Sequence, residues 1–173
     1  MRKNIFYLII ILFFTFIFTI FYIGLDKPNF YTPKEIKNKS LEEFTSTELF
    51  SNEQFSSNNI IENNKFTLIN IWSSWCVPCR LEHSVLMDLS EKTDLNIVGL
   101  NYKDKKNNAI KFLNELGNPF SKILTDPDGI VSISLGAYGV PETFLLNNKS
   151  KIIRKYIGPL TKENILEIIK IIK

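Results

Sequence analysis

Cysteine and histidine are nearly absent from this 173-residue chain: Cys76, Cys79 and His83 are all it has. No second cysteine pair and no second histidine exist to complete a tetrahedral site of Cys and His ligands, and no disulfide framework can be built. There is no dense basic run and no basic stripe interleaved with aromatics. The 21 Lys and Arg are scattered against 18 Asp and Glu, leaving a net charge of +3, which makes nucleic acid a poor partner. No internal repeat marks a solenoid. With 45% hydrophobic and 23% charged residues, the chain reads as one globular domain with an appendage.

Charge is missing altogether from Ile5 to Ile23, "IFYLIIILFFTFIFTIFYI", which follows Arg2 and Lys3. At about 1.5 Å per residue such a helix spans about 28 Å, enough to cross a hydrocarbon core. A cleaved signal peptide would carry a shorter apolar region of about 7–15 residues ending in an A-x-A-like site, whereas this run exits through "GLDKPNF". We therefore expect an uncleaved anchor over residues 1–25. Lys27, Lys34, Lys37 and Lys39 outnumber Arg2 and Lys3, so a positive-inside count places the domain in the cytoplasm, although large domains translocate largely regardless of charge.

Residues 26–43 are polar, carry Pro28 and Pro33, and read as a tether. The folded domain is expected over 44–173. Its first part, Phe44–Lys65, has sparse apolar residues (Leu49, Phe50, Phe55, Ile60, Ile61) and suggests an edge hairpin or loop rather than core. A strand follows at Phe66–Trp72, then a helix over Arg80–Lys92. On a wheel with Leu81 at zero, Val85, Leu89 and Leu86 lie at about 40°, 80° and 140°, forming one apolar face. Asn96–Tyr102 is a strand, and Asn107–Gly117 a helix stopped by glycine with Pro119 beyond. "SKIL" is a short strand, "TDPDG" a turn and "IVSISLG" a brief helix or loop. Two strands joined through Asn147–Lys149 precede a final helix striped by Ile165, Ile168, Ile169 and Ile172, with Thr161 as its cap and Glu163 in its first turn. The pattern is α/β, with crossovers early and an antiparallel pair late.

Three uses of Cys76 and Cys79 can be compared. A disulfide closing so short a loop removes little unfolded-state entropy and is a poor staple. A zinc clip could draw on Cys76, Cys79 and His83, but a carboxylate would have to supply the fourth ligand. Redox chemistry suits the placement. A helix starting at Cys76 aims its free N–H groups and positive dipole end at that sulfur and favours thiolate; Pro78 belongs in a first turn. Cys76 is then the nucleophile, and Cys79, one turn deeper, resolves the mixed disulfide. Glu82, at about 100° on the wheel, falls inside the apolar face. If desolvated there it can accept the proton of Cys79; alternatively its carboxylate bends to solvent or pairs with a lysine. His83, at about 200°, lies off the stripe. It reads as a surface histidine or one that reaches the site only through a neighbour, because a Cys-His protease site leaves the second cysteine idle.

The stretches "NIWSSWCVPCR", "GLNYKDKKNNAIKFLNELGNPF" and "LGAYGVPETFLLNNKSKIIRKYIG" together resemble the thioredoxin superfamily, TlpA-like branch. The likeness is closer still to its membrane-anchored thiol:disulfide interchange proteins of cytochrome c biogenesis, the DsbE/CcmG type. The resemblance covers Phe66 to the end. It implies a thioredoxin-like fold, a central mixed sheet flanked by helices, preceded by one transmembrane helix. It implies no metal and no cofactor other than the redox-active Cys76–Cys79 disulfide. Pro141 would be a cis-proline facing the cysteines, and Val140 would offer backbone to a bound strand. Trp75, Val77 and Pro78 would complete the substrate-binding surface. Glu82 and Glu142 would be the acids near the redox centre, although Glu142 alone reads as an exposed strand start. Ordinary thioredoxins carry a buried Asp six residues before the first cysteine. Asn70 stands there and cannot exchange a proton, which shifts that work to Glu82 or Glu142.

The implied partners are apocytochrome c or a thiol protein of cytochrome c maturation, with a membrane electron donor re-reducing the pair. The implied location is the inner membrane, with the domain in the periplasm. A general periplasmic disulfide reductase or isomerase, and a metal or haem chaperone using the cysteines as ligands, stay open as alternatives.

Overall fold

The computed structural model of the protein describes residues 2–25, 39–60 and 66–173. The chain divides into two units, residues 1–34 and 35–173. The first holds helix α1, Arg2–Leu25. Its Lys3–Gly24 stretch is long and apolar enough to cross a membrane, at about 33 Å for a helical rise of about 1.5 Å per residue. Its threonine hydroxyls are satisfied within the helix: Thr15 donates to the Ile11 carbonyl at 2.9 Å and Thr19 to that of Thr15 at 2.7 Å, as an apolar surrounding requires. The segment read as a tether lies outside the described residues up to position 38.

The second unit is built on β4, Thr67–Trp72, whose six residues are all buried. A strand buried on both faces must be central, and β-branched and aromatic residues suit it. Beside it run β5 (Asn96–Tyr102) and then β6 (Lys122–Asp126), both parallel, and on the other side β7 (Glu142–Leu146), antiparallel to β4, and then β8 (Lys151–Ile157), antiparallel to β7. The edges are β1 (Lys39–Ser40) on β8 and the hairpin of β2 (Thr45–Glu48) and β3 (Gln54–Ser56) on β6, giving the order β1-β8-β7-β4-β5-β6-β2-β3. This is the expected central mixed sheet flanked by helices.

Strand alternation divides the core. Leu68 and Trp72 share one face with α2 (Val77–Lys92), α3 (Lys106–Leu116) and α5 (Lys162–Ile172), which contribute Leu86, Phe112 and Ile168. Ile69 and Ile71 line the other face, closed by the residues around α4 (Ile130–Ser134). Trp72 stacks on Phe120 with ring centroids 5.6 Å apart. Gly99 makes room for this contact: a Cβ there would lie 2.8 Å from Trp72 Nε1 and 3.0 Å from the Phe120 ring.

Three expectations need correction. The sheet begins at Lys39, within the stretch read as tether, because β1 pairs Lys39 with Ile152 and Ser40 with Lys151. Within the Phe44–Lys65 region the described residues, up to Ile60, form an edge hairpin, as read, but they also feed the core: Phe44, Leu49 and Ile60 are buried, and residues 61–65 lie outside the described residues. The buried face of α2 is rotated from the one read off the wheel. Leu81 is 72% exposed, and Cys79, Glu82, His83, Leu86 and Leu89 point inward, an arc of about 80° to 200°. Hydrophobicity alone weighted Leu81 and Val85, while the neighbouring α3 and sheet decide which side is covered.

Candidate redox site

Chain leaving β4 is held by side-chain and backbone bonds before it reaches the cysteines. Ser73 donates its hydroxyl to the Tyr102 carbonyl. Asp104, in the loop after β5, accepts from Ser74 N (2.6 Å), Ser74 Oγ (2.8 Å), Asn101 Nδ2 (3.1 Å) and Lys105 N (2.8 Å). Trp75 Nε1 donates to the Lys103 carbonyl at 3.0 Å. Cys76 is the N-cap of α2 in an extended conformation, and its sulfur accepts from Cys79 N at 3.1 Å. Pro78 sits in the first turn, where its missing N–H leaves nothing unsatisfied. Cys76 and Cys79 are joined as a disulfide, with Cα atoms 5.3 Å apart. In the dithiol form the same N–H and the helix dipole favour thiolate at Cys76.

Glu82 lies one turn beyond Cys79 on the buried face, only 2% exposed. It neither turns to solvent nor pairs with a lysine. Oε1 accepts from Asn70 Nδ2 at 2.9 Å and Oε2 from Leu160 N at 2.8 Å. Burial raises its pKa above the ordinary 4.5, against the downward pull of these two bonds. Asn70 also donates to Thr143 Oγ1 at 3.0 Å, so one amide links β4, β7 and α2. His83 is a correction: it is buried at 3% exposure, with Nε2 donating to the Gly117 carbonyl at 3.0 Å and its ring edge-on to Phe112 at 4.9 Å. Burial pushes its pKa below 6.5. Among the described residues no group of three or more His, Cys, Asp or Glu is placed to hold a metal.

Around the buried disulfide, Trp75, Val77 and Leu81 are exposed apolar residues. Val140 is half-buried, Pro141 is buried, and the Val140–Pro141 bond is cis. Glu142 is not the exposed strand-start residue that it reads as alone: it is 2% exposed. Nor does it share a side of the sheet with Glu82. Thr143 faces Asn70 and α2, so Glu142, its neighbour along the strand, points to the α4 side. There Oε1 accepts from Tyr138 N (2.8 Å) and Gly139 N (3.2 Å), while Oε2 is ion-paired with Lys155 Nζ at 2.8 Å. Asp104 and Lys155 were not read from the sequence as site residues. The only trace of Asp104 is a polar residue two positions after a strand, and Lys155 looks like any outward strand lysine.

A family model described as Redoxin matches residues 36–169. The chain belongs to the redoxin family. Within the thioredoxin superfamily this redoxin is of the DsbE type. It is 35% identical over 162 residues, 94% of this chain and 85% of the other, to a "probable thiol:disulfide interchange protein DsbE-2" of Pasteurella multocida. To the thiol:disulfide interchange protein CycY of Rhizobium leguminosarum bv. viciae it is 48% identical over 103 residues, and to DsbE of Escherichia coli K12 45% identical over 96. These matches span 60% and 56% of this chain but only 55% and 51% of those relatives. Among solved structures, a DsbF homologue from Corynebacterium diphtheriae superposes with a TM-score of 0.67 at 24% identity, covering 83% of this chain and 95% of the other. That likeness establishes the thioredoxin-like fold.

Proposed function

We propose that this redoxin is a protein-disulfide reductase that passes two electrons from the Cys76–Cys79 dithiol to a disulfide of a partner protein. The observation that carries the proposal is Cys76 Sγ at the N-cap of α2, accepting from Cys79 N, inside a rim of exposed apolar residues. The Cys76 thiolate attacks one partner sulfur, forming a mixed disulfide as the partner's other sulfur leaves as thiolate. Cys79, deprotonated, then attacks Cys76 Sγ and releases the second partner thiolate, leaving the Cys76–Cys79 disulfide. Glu82, buried one turn away with a raised pKa, is the proton acceptor for Cys79. Trp75, Val77, Pro78, Val140 and Pro141 form the partner-binding surface, and no cofactor beyond the disulfide is required.

The resemblance to the DsbE type supports apocytochrome c or a thiol protein of its maturation as the partner. It also supports anchoring by α1 in the inner membrane with the domain in the periplasm, where a membrane electron donor re-reduces the pair. Tethering raises the effective concentration of partners on the same membrane. The test is Cys79→Ser in cells, which arrests the reaction with the partner trapped on Cys76. A trapped cytochrome or maturation thiol protein is the expected result; a broad set of secreted proteins would instead establish a general reductase.

A further inference from the structure

Among the ion pairs described, Glu142–Lys155 alone is buried, with side chains 2% and 9% exposed against 37–67% for the others. A buried pair contributes little net stability compared with apolar residues of similar volume, so what it holds in place becomes the question. Apart from a contact of Lys155 Nζ over the Phe144 ring at 5.4 Å, the side-chain hydrogen bonds it makes beyond itself go to one short segment. Glu142 Oε1 accepts from Tyr138 N and Gly139 N, and Lys155 Nζ donates to the Gly136 carbonyl at 2.7 Å while lying 4.3 Å over the Tyr138 ring. Three of the five residues from Gly136 to Val140 are thus fixed from beneath, immediately before the cis Val140–Pro141 bond. Lys155 reaches them from β8, where its backbone stands opposite Phe144 in the register with β7.

We propose that the Glu142–Lys155 pair is a positioning device for partner binding, which presets the 136–140 segment so that the Val140 backbone meets an extended, disulfide-bearing stretch of the partner. Lys155 is its positioning residue, and Glu142 serves as counter-ion and loop anchor instead of proton acceptor. This rests on the disulfide-reductase reading. Holding the segment in its bound shape removes an ordering cost from association, so losing the pair weakens recognition of a polypeptide and leaves the thiol chemistry alone.

The test compares wild type with Lys155→Met, as full-length protein in detergent, reducing two substrates: a peptide with an internal Cys-x-x-Cys disulfide and a small aromatic disulfide with no backbone to bind. The variant is expected to raise KM for the peptide by about tenfold, the size of ordering one or two residues, with kcat and the small-disulfide rate unchanged. Should Lys155→Met fail to fold, the double variant Lys155→Met/Glu142→Leu removes both buried charges and is expected to show the same split. An unchanged peptide KM in a folded variant, or equal loss toward both substrates, overturns the proposal. A wild-type protein that reduces neither substrate overturns the reductase reading itself.

Discussion

Glu82 and His83 are consecutive residues whose burial favours the neutral form of each, with opposite consequences for pH. Glu82 has a folded pKa raised above 4.5, so the stability it contributes is complete below that value and is lost as pH rises through its folded pKa. His83 has a folded pKa below 6.5, so its contribution is present above 6.5 and is lost as pH falls toward the folded value. Denaturant unfolding followed by tryptophan fluorescence across this range should show each slope separately. Glu82→Gln removes the decline on the alkaline side of 4.5, and His83→Gln removes the decline below 6.5. If Glu82 also accepts the proton of Cys79, Glu82→Gln slows resolution of the mixed disulfide by about 10²-fold or more, measured by quenching single turnovers, while attack by Cys76 keeps its rate. The position of Glu82 on a buried face was legible from helical spacing; that of His83 was not, because its cover comes from Phe112 and Gly117 on a different element.

The elements themselves follow from local chemistry more closely than their faces do. β5 spans Asn96–Tyr102 as read, α3 is displaced by one residue, and α5 carries a capping box between Thr161 and Asn164. Thr161→Ala removes this cap, with an expected loss of about 1 kcal/mol in unfolding free energy at unchanged m-value. The loop before α2 depends on a longer-range acceptor. Asp104→Ala strips the partner from Ser74 N and Ser74 Oγ, and about 1–3 kcal/mol of stability should go with it. Amide exchange at Ser74 read by NMR should quicken in this variant ahead of the rest of the domain; exchange that quickens uniformly would mean that Asp104 does not act on this loop.

For the molecule as a whole, the two units make separate predictions. A chain of residues 35–173 retains β1 and with it the cover on β8, so it should fold and reduce a peptide disulfide in solution. In cells it should support partner reduction poorly, because the concentrating effect of the anchor is gone. A chain of residues 44–173 lacks β1 and leaves the β8 edge open, which invites intermolecular pairing. Light scattering on the two chains at equal concentration should show association in the shorter one only.

Sequence by itself determined the redox pair on a helix start, the apolar run able to span a membrane and the alternation of strands and helices. Each of these is written in neighbours a few positions apart, where spacing and composition act directly. Only the tertiary structure decided that His83 is buried, that Asp104 holds the loop before Cys76, and that Glu142 faces away from Glu82 toward Lys155. Those facts depend on groups brought together from distant strands and helices, and on which side of a central sheet an alternating residue emerges. The pattern within one strand offers two faces; packing of α2, α3 and α5 on one and α4 on the other chooses between them.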